Sequence, residues 1–337
     1  MNSYEEKREG KTLKILVAEN YWRYVDDLKK LLDVPCEFLL ARDDEEALRT
    51  IGDVDIVFGA RFSRRVLERG KNLKLIQVLG AGVRAELLEA VRGLNVKVAN
   101  THGNAPSVAE HALALMFALA KRVVESDRML REGIWLGTWE HMGVQLEGKV
   151  VGIIGLGHVG RELAKRAKAL GMRVIAIKRT PDPKIKEELG LEFLGGPQDL
   201  EYVLKNADFV VICVPETKET RGMIGERELR MMKPTAFLIN VARGRVVDEE
   251  ALYRALKEGW IAGAGIDVWY RYPRSEGERC HPSKFPFHEL PNIVMTPHRA
   301  AITPEGYWGM LKQVAENIKR IYRGEEPINM VDIERGY

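Results

Sequence analysis

Apolar and polar positions along this chain follow two alternating periods. Short runs rich in Val, Ile, Leu and Phe recur throughout, and between them apolar residues return every three or four positions. In the first third the runs are KILVAE (14–19), CEFLLA (36–41), DIVFGA (55–60), LKLIQVLG (73–80) and VKVAN (96–100), with helical patterns such as YVDDLKKLL and DEEALRTI between them. Strands that alternate with helices predict a parallel sheet with helical crossovers. A long helix is predicted next, from about Ser107 through VAEHALALMFALAKRVVESDRML, with Ser107 and Glu110 spaced as a capping box. It is apolar on several faces, which suits an element that links or separates two domains. A second series follows: KVVGIIG (149–155), RVIAIKR (173–179), LEFLG (191–195), ADFVVICVP (207–215), AFLINVA (236–242), AGAGIDVW (262–269) and NIVMTPH (292–298). Most of these are apolar almost without interruption, as strands covered on both faces must be. A last helical stretch, TPEGYWGMLKQVAENIKRIYRG, precedes a short tail. The pattern predicts two α/β domains with the second inserted in the first: residues 1–106 with 302–337, and residues 107–301.

Composition narrows the class without changing that picture. A chain of 337 residues matches two domains at roughly 100–200 residues each. Apolar residues make up 45% and charged residues 30%, enough for real cores. A net charge of +3 gives no field argument for nucleic acid or an anionic membrane. No apolar run reaches the roughly 20 residues of a membrane span, and the opening MNSYEEKREGKTLK has no signal-peptide core. Cys36, Cys213 and Cys280 show no CxxC spacing, which points to reduced thiols and a cytoplasmic protein. The wealth of Glu, Lys and Arg suits heat adaptation. His111, His141, His281 and His288 form no metal-ligand spacing, so no metal is expected.

The candidate chemistry begins at KVVGIIGLGHVGRELAKRAKALGMRVIAI. Gly155, Gly157 and Gly160 form G-x-G-x-x-G between a predicted strand and a predicted helix, with His158 and Val159 inside the loop. The first glycine permits the turn, the second admits a pyrophosphate, and the third lets helix and strand pack closely. The helix N-terminus then offers free N–H groups to phosphate oxygens. At the end of the next strand an NAD site wants an acid for the ribose hydroxyls. This chain has Lys178, Arg179 and Thr180 there, and no acid before Asp182. Two cations and a hydroxyl suit a 2′-phosphate, so NADP is favoured over NAD. Downstream, Arg243 and His298 each fall just past a predicted strand, in FLINVARG and NIVMTPH. Open α/β sheets bind ligands at such strand ends. A guanidinium there can fork onto a carboxylate and a carbonyl oxygen, and histidine is the natural acid/base near neutral pH.

The order SVAEHALAL, GIIGLGHVG, CVPETKETRGMIG, NVARGRVVDEEAL, AGAGIDVW and NIVMTPH resembles the D-isomer-specific 2-hydroxyacid dehydrogenase family over roughly residues 75–330. The resemblance implies two Rossmann-like domains, one flavodoxin-like for the substrate and one for the dinucleotide, with the active site in the cleft and a homodimeric assembly. It implies hydride transfer between a nicotinamide and C2 of a 2-oxo or 2-hydroxy acid. It makes Arg243 the residue that orients the substrate and His298 the residue that passes the proton. Asp267 would hold the nicotinamide carboxamide. Pro215 and Thr220 would line the adenosine side, with Val214, Val241 and Ala242 also along the cofactor. Leu79, Gly80, Ala81 and Gly82, in the loop running to Val83, would bind the substrate carboxylate through backbone N–H groups, as consecutive N–H groups in a glycine-rich turn can.

One position breaks the pattern. Most family members carry a glutamate that hydrogen-bonds the catalytic histidine, where this chain has Tyr272, immediately before Pro273. A phenol can fix the ring but carries no charge near neutral pH, so His298 should be less often protonated. Glu276 or Glu278 folding back is an alternative. Formate dehydrogenases, related to the family, also lack the glutamate, and Asn104 matches a substrate-binding asparagine of that group; they place glutamine where this chain has Tyr272. A formate-oxidising enzyme and a nucleotide-sensing corepressor-like protein therefore stay open beside the 2-oxo acid reductase. Trp135, Trp139, Trp269 and Tyr270 are aromatics available for a pocket wall, and Trp135 and Trp139 equally for a dimer core.

Overall fold

The computed structural model describes residues 12–137, 139–275 and 277–336. They form two units, one comprising the residues up to Asn104 with those from Thr303 onward, the other Ala105–Ile302.

The first unit contains β1 (Leu13–Ala18), β2 (Cys36–Ala41), β3 (Ile56–Phe58), β4 (Leu75–Gln77) and β5 (Lys97–Ala99). All pair in parallel, in the order β2-β1-β3-β4-β5. This is the doubly wound order with its switch between β1 and β3. Val314, Ile318 and Ile321 of the C-terminal helix, Pro304–Arg323, cover Leu13, Ile15, Val17, Ile56 and Phe58. That helix starts where the Thr303 hydroxyl accepts the Gly306 N–H at 3.0 Å, with Pro304 in the first turn, and stops at left-handed Gly324. Its Gly309 lies against the backbone of Gly103; a Cβ on Gly309 would fall 2.4 Å from the Gly103 carbonyl oxygen. A buried amide pair ties the helix to the sheet. Asn317 Nδ2 donates to Gln77 Oε1 at 2.7 Å, and the Ile328 N–H donates to Asn317 Oδ1 at 2.7 Å.

The second unit contains β6 (Val150–Ile154), β7 (Arg173–Ile177), β8 (Phe193–Gly195), β9 (Phe209–Ile212), β10 (Phe237–Asn240), β11 (Gly263–Ile266) and β12 (Ile293–Met295). Their order is β12-β11-β10-β9-β6-β7-β8, again all parallel. Both faces are covered, which explains the unbroken apolar runs. Val151 and Ile153 of β6 pack with helices Ala105–Ala120 and His158–Ala169, while Val150 and Ile154 pack on the opposite face with Val203, Leu229 and Leu252. Every predicted apolar run overlaps one of these twelve strands.

The long helix differs from its expectation. It is two helices, Ala105–Ala120 and Val123–Arg131, broken where Arg122 adopts φ 53°. The Arg122 guanidinium there pairs with Glu125 at 2.6 and 2.7 Å. Nor is Ser107 a cap. The helix begins at Ala105, because Pro106 in its first turn has no N–H to satisfy. Ser107 is buried inside the helix, and Glu110 pairs with Arg166 at 3.0 Å. No described helix is long and apolar enough to cross a membrane.

Candidate active site

The glycine loop after β6 is shaped by close approach. Gly155 has φ 103°, and a Cβ on it would lie 2.7 Å from Val214 Cγ1. On Gly160 a Cβ would lie 2.2 Å from the Gly155 carbonyl oxygen. Gly157, which precedes the twelve-residue helix His158–Ala169, has nothing within 4 Å of that position. Two glycines seal the turn and the third faces open space at a helix N-terminus, the arrangement a pyrophosphate needs. His158 is exposed and Val159 half-buried at the start of that helix. Nearby, the Thr220 hydroxyl donates to the Pro215 carbonyl at 2.6 Å. Past β7, the Lys178 N–H donates to the Gly195 carbonyl at 3.0 Å, and Arg179 and Thr180 are exposed. The nearest acid on this segment, Asp182, accepts the Lys184 N–H at 2.9 Å and caps the helix Pro183–Glu188.

In the first unit the loop from Leu79 is stitched down at one end. Gly80, at φ 94°, donates its N–H to Thr101 Oγ1 at 2.7 Å, and Asn100 Nδ2 donates to the Ala81 carbonyl at 2.8 Å. The expectation that the whole loop offers its N–H groups is thereby narrowed, because Gly80 has spent its own. Those of Ala81 and Gly82 make no hydrogen bond with described residues. Asn104 is half-buried and directly precedes the helix Ala105–Ala120.

The ends of β10, β11 and β12 bring the remaining candidates together. Past β10, Asn240 ties the turn with two bonds: its Oδ1 accepts the Ala242 N–H at 3.1 Å, and its Nδ2 donates to the Arg243 carbonyl at 2.9 Å. Val241 and Ala242 are buried. The Arg243 guanidinium donates to the Ala242 carbonyl at 2.7 Å and forms no ion pair among the described residues. Gly244 follows because the turn runs along the β11 exit; a Cβ there would lie 2.4 Å from the Trp269 carbonyl oxygen. Asp267 is fully buried. Its Oδ1 accepts the Thr296 hydroxyl at 2.6 Å and the Arg299 N–H at 2.9 Å, and its Oδ2 accepts the Ala300 N–H at 3.0 Å. Burial alone would raise its pKa, but hydrogen bonds from His111, Thr296, Arg299 and Ala300 outweigh that and hold it at about 2.

His298 sits in the turn these bonds fix. Its backbone is left-handed at φ 52°, and its N–H donates to the Asp267 carbonyl at 2.7 Å. Its Nδ1 lies 3.0 Å from Tyr272 Oη, which also accepts the Trp269 N–H at 3.0 Å. Nδ1 faces the phenol whichever group holds the shared proton, so Nε2 is the nitrogen left to exchange one. Burial pushes the His298 pKa below its ordinary value, the Arg243 charge pushes the same way, and Asp267 opposes them. Burial raises the Tyr272 pKa, so the phenol stays neutral. Of the alternative acids, Glu278 instead accepts the N–H groups of Arg274 at 2.5 Å and Ser275 at 3.3 Å, closing its own turn. Glu276 lies outside the described residues. Trp269 is buried, its indole donating to the Thr296 carbonyl at 2.9 Å, and the Tyr270 hydroxyl donates to the Val247 carbonyl at 3.2 Å. Both serve the framework beside the site.

Sequence reasoning missed Thr296 and gave His111 no role beyond excluding a metal. Both join Asp267 through a helix-to-strand contact. The only local signal was Thr296 lying two residues before His298.

The family model of the D-isomer specific 2-hydroxyacid dehydrogenase NAD binding domain matches residues 113–300. The chain is 40% identical over 294 residues to a glyoxylate reductase of Thermococcus litoralis, covering 85% of each. Among solved structures it resembles the NAD complex of a D-isomer specific 2-hydroxyacid dehydrogenase from Lactobacillus delbrueckii (26% identity, TM-score 0.76, 95% of this chain and 100% of that one). It also resembles an acyclic imino acid reductase in complex with NADPH and D-Arg (25% identity, TM-score 0.75, the same coverage). With a G-x-G-x-x-G loop, an arginine and a histidine at the strand ends of one parallel sheet, the chain belongs to the D-isomer-specific 2-hydroxyacid dehydrogenase family, NAD(P)-dependent oxidoreductases acting on the CH–OH group of 2-hydroxy acids.

Proposed function

We propose that this chain reduces small 2-oxo acids, glyoxylate among them, and uses NADPH in preference to NADH. The observation that carries the reading is His298, its Nδ1 occupied by Tyr272 and its Nε2 left to exchange a proton, with the Arg243 charge acting on both rings. The name of the Thermococcus litoralis relative supports glyoxylate. When bound, the nicotinamide supplies the hydride for C2. His298 hands its Nε2 proton to the oxygen that becomes the hydroxyl. Arg243 exchanges its bond to the Ala242 carbonyl for that oxygen and stabilises its developing charge. Ala81 and Gly82 offer their N–H groups to the substrate carboxylate, and Asn104 offers its amide. Asp267 has one acceptor position left on Oδ2 for the nicotinamide carboxamide. Lys178, Arg179 and Thr180 favour a 2′-phosphate, and the Asp182 carboxylate is engaged as a helix cap.

The same reading takes the protein as a cytoplasmic homodimer. Leu130, Ile134, Trp135, Trp139 and Met142 are exposed large apolar side chains, which suit contact with a second copy of the chain.

The test is an NADPH and NADH oxidation screen over glyoxylate, hydroxypyruvate and longer 2-oxo acids, with formate oxidation as control. Turnover of 2-oxo acids with a lower KM for NADPH is expected, and Ala at both Lys178 and Arg179 should remove the preference. Formate oxidation without 2-oxo acid reduction would replace the reading. A clear preference for NADH would overturn its cofactor half.

A further inference from the structure

We propose that His111 is a positioning residue for proton transfer at His298, acting through the Thr296 hydroxyl and the Asp267 carboxylate. The inference rests on His298 being the proton donor. His111 lies within the helix Ala105–Ala120, its Nε2 3.0 Å from Thr296 Oγ1 and 3.4 Å from Asp267 Oδ1. The direction of the chain follows from counting protons. Asp267, held at about 2, is ionised at neutral pH and can only accept. Thr296 has one hydroxyl proton and stands 2.6 Å from Asp267 Oδ1, so that proton goes to Asp267. The Thr296 oxygen must then accept from His111, which places a proton on His111 Nε2.

The far side of Asp267 is the turn that carries His298. Its carbonyl takes the His298 N–H, and its carboxylate takes those of Arg299 and Ala300. Three successive N–H groups thus hang on one residue. They hold His298 in a left-handed conformation that residues with a Cβ seldom adopt. A strained turn keeps its shape only while its surroundings over-determine it. The His111–Thr296 pair fixes the rotation of the carboxylate that receives two of those three bonds, and through it the direction of the His298 ring. His111 touches neither ring nitrogen of His298, so its action is on geometry.

Five variants and one reference test this. His111→Leu and Thr296→Val each cut the chain, and each should lower kcat for 2-oxo acid reduction at least about tenfold, since small misplacement of a reacting group is costly. The KM for the 2-oxo acid should stay unchanged, because the chain ends on His298 and not on the substrate. The double variant should be no slower than the slower single one, as expected of two cuts in one path. His111→Gln, whose amide nitrogen can still donate, and Thr296→Ser should recover most of the rate. Melting curves check that each variant is folded, and Thr296→Val keeps the shape of threonine if His111→Leu does not fold. Wild-type kcat in Thr296→Val and His111→Leu overturns the inference, as do losses that add in the double variant. His298→Asn, assayed in parallel, separates the two levels. If it loses less than about tenfold, the reading of His298 as proton donor is wrong; if it loses about 10²–10⁴-fold while the two single variants keep wild-type kcat, only the role of His111 is lost.

Discussion

Asparagine in place of His298 is expected to lower kcat/KM for 2-oxo acid reduction by about 10²–10⁴-fold, the usual contribution of a positioned acid or base. Asparagine is the informative choice because His298 has φ 52°, and asparagine accepts left-handed backbone more readily than most residues. The turn and its bonds to Asp267 should therefore survive. The Asn amide can still reach toward Tyr272, but no group is left that can exchange a proton at neutral pH. The residue is only partly covered and a good share of it stays accessible, so little packing is lost and the melting temperature should barely move. Steady-state NADPH oxidation reads the result, and a loss under about tenfold would remove His298 from the acid role.

Alanine in place of Arg243 should cost about 10²–10³-fold in kcat, the loss seen when one donor to a developing oxyanion is removed. Lysine should restore little, because a point charge cannot reproduce the planar two-pronged contact. This variant carries a second signature. The Arg243 charge depresses the His298 pKa, so its removal raises that pKa. Whatever reductase activity is left should then persist to higher pH than in the unaltered protein. An alanine variant that is slower but has an unshifted pH profile would mean that Arg243 does not act on His298.

The strands were readable in the sequence because both faces of each sheet are covered, leaving apolar runs that polar positions seldom interrupt. Gly155 and Gly160 were readable because close contacts demand glycine at both. The break at Arg122 was not readable. It depends on a left-handed conformation at a residue with no intrinsic preference for it. The spacing S-x-x-E misled, because it arises inside the helix as easily as at its start, and Pro106 let the helix begin earlier. Arg243 and His298 stood out as polar residues just past apolar runs. The Tyr272 position stood out only because a glutamate was expected there. His111 and Thr296 are 185 positions apart, and no local pattern announces a bond between a helix and a distant strand end.

The most direct measurement is the pH dependence of kcat/KM for 2-oxo acid reduction in the protein and in Tyr272→Glu. In the proposed reaction the reduction needs a proton on His298, so activity should be highest in acid and fall as pH rises through the His298 pKa. In the unaltered protein burial and Arg243 hold that pKa below the ordinary value of 6.5. A carboxylate at position 272 favours the imidazolium, so the falling limb should move to higher pH by about one unit or more. The same falling limb in both proteins would contradict the account, because it would mean that the group facing His298 Nδ1 does not set its protonation.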